Sequence, residues 1–418
     1  MIRNIKIILN LLICFLFIAI AGKAQHLRFG FEIDKNKKSV TIPFKLINNL
    51  IVLDVLFEGV IPLKFIVDTG VSNTVLIEKS FADILNIVPD RKLTLVGAAG
   101  GKEVEAFIVN SVSIKLKGVL GSHIPLLILK EDYLKLEQSM GIKVHGILGY
   151  DLFKNFIVSI NYANQTISFF NPSDFRKKLW FYHEMDMFVE NTKPYIYQEI
   201  LLADSTRLEA KLMIDTGASH SLMLHQNSDV SIELPAVSIR DILGAGIAGE
   251  IEGYVGRIKK LKMNNKFEFE DVIARFPDEG SYKDVILNTN RNGTIGGGIL
   301  KRFNVYFDYQ NDKVYLRRNK FYKEEFSYDM SGISVAAKGE LYLRPYYVIE
   351  KIRPNTPASD AGLKVDDVIL RMNGNYGIDL NLNKINNLLT KKPGKRIKLK
   401  IKRGEETLQV EFLLEKFI

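Results

Sequence analysis

The chain contains two copies of one domain-sized unit, and this duplication limits the possible fold more than any other feature of the sequence. FIVDTGVSNTVL begins at Phe65 and LMIDTGASHSLML begins at Leu212, so that Asp215 follows Asp68 by 147 residues. The match continues without a gap as far as Tyr162 of the first copy. A repeat of this length indicates two similar lobes rather than a short-period solenoid.

Each copy places one aspartate between two apolar stretches that are typical of buried strands. A buried carboxylate is costly unless it is paired, hydrogen-bonded or protonated. Two equivalent copies predict a pseudo-two-fold arrangement in which Asp68 and Asp215 meet and share one proton. The ionised member of such a pair can activate a water molecule, and the neutral member can donate a proton. This chemistry requires no metal and no cofactor, and we expect neither.

The residues that follow each acid are suited to supporting it. Thr69 and Thr216 can hydrogen-bond across the axis and fix the two loops. Gly70 and Gly217 have no side chain, so main-chain amides can approach the carboxylates closely. We therefore expect these four residues to support the active-site loops.

Short runs of β-branched and aromatic residues dominate both copies and predict all-β lobes. In the first copy the predicted strands cover residues 53–57, 65–67, 93–96, 104–108, 112–116, 126–129, 157–160 and 166–169. Helices are expected near Glu78 and after Gly149. We place the first lobe at residues 25–180 and the second at residues 181–320.

The acids in these frames, together with an apolar-apolar-Gly sequence downstream in each copy, resemble the aspartic proteases over roughly residues 40–318. Val71 and Ala218 after the glycines are more similar to the retropepsin branch than to the pepsins. The resemblance implies two β-barrel lobes and catalytic roles for Asp68 and Asp215.

Aspartic proteases also close hairpin flaps over the substrate, and glycine-rich loops are suited to such movement. Each copy of this chain has a glycine-rich stretch downstream of its acid. The flap candidates are Gly97 and Gly100 in the first copy, and Gly244 and Gly246 in the second.

The pattern changes after the second copy, in a segment that we place at residues 331–418. The motifs NTPA, AGL, DVI and NG follow one another between residues 355 and 374 and resemble an α+β PDZ domain of the bacterial protease-associated kind. The resemblance implies that a peptide adds to it as a strand, with the C-terminal carboxylate on main-chain amides. The alternative is a PDZ fold that only packs on the protease. The candidates for the peptide-binding loop are Gly332, Ile333, Ser334 and Val335.

The first 24 residues have the pattern of a secretory signal peptide. A basic start with Arg3 and Lys6 precedes an apolar run, and GKA before Gln25 offers small residues for cleavage. The alternative is a permanent membrane anchor, for which the apolar run is short. Cys14 is the only cysteine, so the mature chain is expected to carry no thiol.

The sequence therefore predicts an exported aspartic endopeptidase in the periplasm, at the cell surface or secreted, acting on peptide or protein substrates. The PDZ domain would recruit or position these substrates, for example by their C-terminal peptides.

The net charge of +9 is spread out and no basic patch interleaves with stacking aromatics, so we expect no nucleic-acid partner. We expect a monomer with an intramolecular pseudo-dimer and no membrane span after signal removal. The alternative is a non-catalytic peptide-binding or scaffold protein that keeps the protease fold.

Overall fold

A computed structural model describes residues 29–96, 103–176, 179–247, 249–339 and 345–418. The predicted signal peptide and the flap candidates Gly97 and Gly100 lie outside these ranges. Strands dominate the described residues and form four sheets, which confirms the prediction of an all-β architecture followed by an α+β domain. Within the same ranges, none of the helices is long and apolar enough to cross a membrane.

The first copy is built around a nine-stranded sheet with the order β1-β9-β6-β10-β5-β4-β8-β7, in which β3 pairs with β4. Its strands are β1 Gly30–Ile33, β2 Ser39–Pro43, β3 Lys45–Ile47, β4 Leu50–Phe57, β5 Ile61–Val67, β6 Thr74–Leu76, β7 Arg91–Val96, β8 Glu103–Leu116, β9 Val119–Leu129, β10 Gly146–Leu148, β11 Ile157–Asn161 and β12 Thr166–Phe170. Its helices are α1 Ser80–Ile84, α2 Leu136–Met140 and α3 Tyr150–Phe153.

The second copy is built around an eight-stranded sheet with the order β14-β15-β16-β21-β17-β20-β19-β18. Its strands are β13 His183–Asp186, β14 Phe188–Glu190, β15 Lys193–Leu201, β16 Arg207–Ile214, β17 Leu222–Leu224, β18 Ser238–Gly246, β19 Gly249–Met263, β20 Phe267–Pro277, β21 Gly293–Ile295, β22 Phe303–Asp308 and β23 Lys313–Arg318. Its helices are α4 Lys283–Thr289 and α5 Gly297–Leu300.

A six-stranded sheet with the order β13-β23-β22-β11-β12-β2 joins the two copies. At its centre β11 pairs antiparallel with β22, and Ser159 lies opposite Tyr306. Tyr306 is the counterpart of Ser159 in the duplication, so each of these two strands pairs with the equivalent strand of the other copy. A two-fold relation between the copies would produce this register. The two-fold relation of the complete lobes stays a prediction.

One predicted pair of strands is a single strand in the structure. Residues 104–108 and 112–116 were expected to be separate, but β8 runs through both and pairs with β9 along its length. The register shifts between Val109 and Val112, which marks a β-bulge. A bulge lets a strand bend and continue where the alternation of apolar and polar residues is interrupted. The same interruption predicts, from sequence alone, the end of one strand and the start of another.

The C-terminal segment forms the fourth sheet, with the order β24-β25-β26-β28-β29 and β27 paired with β26. Its helix α7 begins where the Asn381 side chain accepts a hydrogen bond from the Lys384 main-chain N–H. Leu382, Ile385 and Leu389 of α7 lie at helical spacing and are buried. The elements are β24 Ile333–Lys338, β25 Tyr346–Ile352, α6 Pro357–Asp360, β26 Val368–Met372, β27 Asn375–Tyr376, α7 Leu382–Leu389, β28 Arg396–Arg403 and β29 Glu406–Leu413.

Two glycines allow the strands beside the Asp-Thr-Gly loop of each copy to pack closely. Gly146 begins β10, which lies between β5 and β6, and Gly293 begins β21, which lies between β16 and β17. A Cβ on Gly293 would lie 2.0 Å from the Met223 carbonyl oxygen, and one on Gly146 would lie 2.5 Å from the Phe65 ring. Both positions therefore exclude any side chain.

We expect Gly293→Ala to lower the free energy of unfolding by about 1–3 kcal/mol, because the added methyl group must displace main chain. Gly244→Ala is the matched control, since a Cβ there would have no neighbour within 4 Å. It should change the free energy of unfolding by less than about 0.5 kcal/mol. Urea denaturation measures both, and equal effects of the two substitutions would contradict this packing.

Candidate active site

The two aspartates lie at equivalent strand ends. Asp68 follows β5, and its main-chain N–H donates to the Leu148 carbonyl of β10 at 3.0 Å. Asp215 follows β16, and its N–H donates to the Ile295 carbonyl of β21 at 2.9 Å. The apolar strands are buried and the polar loops begin where they end. The same backbone frame therefore presents one carboxyl group from each copy.

The two threonines exchange hydrogen bonds between the loops, as the sequence suggests. The Thr69 N–H donates to Thr216 Oγ1 at 3.1 Å, and the Thr216 N–H donates to Thr69 Oγ1 at 3.0 Å. Each hydroxyl also donates across the interface, Thr69 to the Ile214 carbonyl at 2.7 Å and Thr216 to the Val67 carbonyl at 2.9 Å. Both side chains are fully buried. The four hydrogen bonds fix one loop against the other.

The glycines allow the two carboxyl groups to meet. Gly70 N–H donates to Asp68 Oδ1 at 2.6 Å, and Gly217 N–H donates to Asp215 Oδ1 at 2.8 Å. A Cβ on Gly70 would lie 2.9 Å from Asp215 Oδ2, and one on Gly217 would lie 2.1 Å from Asp68 Oδ2. Each carboxyl group therefore lies against the glycine of the other loop, and the two carboxyls hydrogen-bond to each other.

The surroundings favour a single shared proton. Burial raises the pKa of Asp68 well above its ordinary value, and the charge of Asp215 raises it further. Burial also raises the pKa of Asp215, although the hydrogen bond with Asp68 and the Gly217 amide oppose this. A carboxyl that donates a hydrogen bond to its neighbour stabilises the neighbour as an anion. The two carboxyl groups therefore hold one proton between them.

Two cations of the second copy act on the acids, and sequence reasoning missed both. The charge of Lys193 lowers the pKa of Asp68, and the charge of Arg291 lowers the pKa of Asp215. Burial in turn lowers the pKa of Lys193. Arg291 is buried, and its Nη1 contacts Met213 Sδ at 3.0 Å. Neither cation belongs to the repeated motif, so the sequence offers no signal for either.

Further contacts between the copies hold the segments that follow each Asp-Thr-Gly. Asn49 Nδ2 donates to the Ser219 carbonyl at 2.8 Å, and Thr192 Oγ1 donates to Ser72 Oγ at 2.7 Å. Ser72 and Ser219 are counterparts in the duplication. Each loop is therefore held from outside by a turn of the opposite copy.

The described flap candidates lie on one hairpin. Gly244 and Gly246 belong to β18, and Gly246 pairs with Gly249 at the end of β19. Ile247, in the turn, packs against a hydrophobic cluster of the first copy that includes Leu50. The hairpin therefore extends from one copy to the other. Its closure over a substrate stays a prediction.

The candidate peptide-binding loop of the C-terminal domain already has internal partners. The Gly332 N–H donates to Asp329 Oδ2 at 2.8 Å, and the Ile333 N–H donates to Ser331 Oγ at 3.3 Å. Ile333 is buried in the core of its domain, whereas Ser334 and Val335 are half-buried on β24. A peptide carboxylate would have to replace Asp329 at the Gly332 amide.

The described residues contain no group of three or more histidine, cysteine or acidic side chains that could hold a metal ion. His220 and His225 follow the second Asp-Thr-Gly, and burial lowers the pKa of both. His225 packs on the Tyr282 ring with 4.5 Å between the ring centroids. Both histidines therefore belong to the packing around the loop.

We expect Thr69→Val and Thr216→Val each to lower the free energy of unfolding by about 1–3 kcal/mol, because buried main-chain groups lose their partners. Thr69→Ser keeps the hydroxyl and is the matched control, with a smaller loss. The double valine variant should lose less than the sum of the single losses, since both belong to one network. Denaturant titration measures these values, and additive losses or equal losses for Ser and Val would contradict the network.

Two family models match separate parts of the chain. Residues 53–152 match the family model described as aspartyl protease, and residues 332–414 match the model described as PDZ domain. No curated protein matches the chain. Among solved structures, the crystal structure of basic 7S globulin from soybean matches with 9% identity and a TM-score of 0.39, over 68% of this chain and 95% of that chain. The chain thus contains an aspartyl protease domain of the retropepsin-like kind and a PDZ domain.

Proposed function

We propose that this protein is an exported aspartic endopeptidase in which Asp68 and Asp215 activate the attacking water. The observation that carries the proposal is the contact between two carboxyl groups that reciprocal threonine hydrogen bonds hold together. The match of residues 53–152 to aspartyl proteases supports the same activity. Export to the periplasm or the cell surface rests on the signal-like first 24 residues.

In the proposed reaction the ionised Asp215 takes a proton from the water as its oxygen attacks the peptide carbonyl. Asp68 donates its proton toward the carbonyl oxygen as negative charge develops there. The tetrahedral gem-diol then collapses: Asp215 gives its proton to the leaving amine, and Asp68 regains a proton from one of the two hydroxyls as the C–N bond breaks and the carboxylic acid forms. The loops need not move during these steps, because the reciprocal hydrogen bonds between Thr69 and Thr216 fix the distance between the acids.

A non-catalytic peptide-binding or scaffold protein is the alternative. Such a protein would need a cleft but not two acids in contact. Burial raises the pKa of both carboxyls, so keeping them together opposes folding at neutral pH. This cost favours the enzyme, in which the PDZ domain recruits or positions peptide or protein substrates.

Asp68→Asn and Asp215→Asn should each lower kcat by about 10³-fold or more, because each removes one member of the acid-base pair. Cleavage of a mixed peptide pool, followed by mass spectrometry, measures the loss. Asp54→Asn, at an exposed position of β4, is the matched control and should keep full activity.

The unfolding temperature of Asp68→Asn tests whether the variant stays folded. Burial raises the pKa of Asp68 above its ordinary value of 3.8, so ionisation above that pH opposes the folded state. Asp68→Asn should therefore unfold at or above the wild-type temperature at pH 7. A folded variant with substantial activity, free of contaminating proteases, would overturn the proposed dyad.

The charge of Lys193 should shift the pH profile, whose position depends chiefly on burial of the two acids. The active dyad carries one proton, so activity falls below its lower apparent pKa and above its upper one. Burial raises both values, and we expect a wild-type optimum between mildly acidic and neutral pH. Lys193→Met removes a positive charge that stabilises the carboxylates, so both limbs should move to higher pH by about 0.5–1 unit.

Lys193→Arg keeps the charge and should leave the limbs near their wild-type positions. The measurement is kcat/KM against pH on a peptide without ionisable groups near the cleaved bond. A profile that moves equally in the Met and Arg variants would show that packing, not charge, is responsible.

A further inference from the structure

The PDZ domain and the segment that leads into it contact both strands of the second-copy hairpin formed by β18 and β19. Asp241 of β18 accepts a hydrogen bond from Arg353 Nη1 at 3.0 Å and another from the Tyr328 hydroxyl. Glu250 of β19 forms an ion pair with Lys351 at 3.3 Å. Both strands of the hairpin are therefore tied to the C-terminal part of the chain.

Arg353 connects the hairpin to the PDZ loop itself. Its Nη1 binds Asp241, while its Nη2 forms an ion pair with Asp329. The Asp329 carboxylate also accepts hydrogen bonds from the main-chain N–H groups of Ser331 and Gly332. Arg353, Asp241 and Asp329 each expose only about a fifth of their side chains. One guanidinium thus shares its donors between the hairpin and the loop at the start of β24.

An apolar contact reinforces this attachment. Ile418, the last residue, is 8% exposed and belongs to a hydrophobic cluster with Leu243 of β18 and with Ile251 and Val255 of β19. The attachment therefore combines charge with burial of apolar surface. Ile247, in the hairpin turn, packs against the first copy, and Glu250, which binds Lys351, lies only three residues further along the chain. The hairpin therefore cannot lift without breaking contacts to the PDZ domain or to the first copy.

The first copy also covers an edge of the PDZ domain. β24 is an outer strand of its sheet, and α2 packs against β24 and the start of α7. A Cβ on Gly141, directly after α2, would lie 3.4 Å from Leu382 Cδ1 and 3.8 Å from Ala337 Cβ. Asn383 Oδ1 accepts a hydrogen bond from the Asn48 N–H at 3.0 Å. A peptide that adds to this strand edge would meet α2.

We propose that the docked PDZ domain is a latch that holds the β18–β19 hairpin closed over the cleft, and that release of the latch opens the cleft and uncovers the β24 edge together. The inference rests on the proposed protease function. In the docked state, Arg353 fixes the hairpin and α2 occupies the position of an added strand. Substrate entry and access to the PDZ edge therefore depend on the same movement.

A reversible disulfide tests the docked state. Gly141→Cys with Ala337→Cys brings two Cβ atoms to 3.8 Å, which is close to the mean spacing of about 3.8 Å in disulfides. Cys14 is the only natural cysteine, so the bridge has no competitor in a chain without the first 24 residues. Oxidation should lower kcat/KM by about five-fold or more, and a reductant should restore it. The single-cysteine variants carry the same substitutions and should not respond to oxidation.

Arg353→Gln tests the released state. It removes the guanidinium, so kcat/KM should rise by about five-fold or more. Arg396→Gln is the matched control, since it breaks only the exposed pair with Glu411 in the same domain. Hydrogen exchange in an Asp68→Asn background should show β18, β19 and β24 exchanging faster together. If Arg353→Gln does not fold, Asp241→Asn removes the same ion pair from the hairpin side.

The outcomes separate the two proposals. If a closed disulfide and Arg353→Gln both leave an Asp68-dependent activity unchanged, the latch is wrong and the protease proposal stands. If exchange rises in the hairpin without rising in β24, the concerted release is wrong. If no form of the protein shows Asp68-dependent cleavage while exchange behaves as expected, the protease proposal fails and only the docking remains.

Discussion

The exchange of hydrogen bonds between Thr69 and Thr216 is the constraint on which the rest of the site depends. Each hydroxyl accepts one main-chain N–H and donates to one carbonyl of the other loop. All four hydrogen bonds are buried, so loss of any one leaves a polar group without a partner. This fixed frame allows Asp68 and Asp215 to stay in contact although both resist ionisation there. The chemistry of the two acids therefore depends on the fixed position of the two loops.

Contacts continue outward from this frame to the PDZ domain. The turn that contains Asn48 and Asn49 binds Asn383 of α7 on one side and the Ser219 carbonyl on the other. Ser219 lies four residues after Asp215 in the second loop. Physical continuity alone does not establish coupling between sites, which requires an element with two states. In the proposed latch this element is the β18–β19 hairpin, which is tied to Arg353 through Asp241 and to the first copy through Ile247.

Features that repeat along the chain, or that follow the residue period of a strand or a helix, can be predicted from the sequence. The duplication predicts the paired acids and their threonines, and the run of β-branched and aromatic residues at 166–169 predicts strand β12. Contacts between residues far apart in the chain leave no such pattern. Asp241 and Arg353 are separated by 112 residues, and Lys193 stands outside the repeated motif. Such charges can be assigned only after the fold brings them together, because an exposed and a half-buried cation look the same in sequence.

The two copies place their aspartates in equivalent positions but surround them with different stabilising groups. Asp215 is stabilised as an anion by the amides of Gly217 and Ala218 and by Arg291, whereas Asp68 has the Gly70 amide and the charge of Lys193. Both cations come from the second copy, so the field across the dyad is not symmetric. Two carboxyls in contact keep one proton between them even where their surroundings are identical, because both cannot ionise. Divergence after duplication adds unequal surroundings, which favour one of the two positions of that proton.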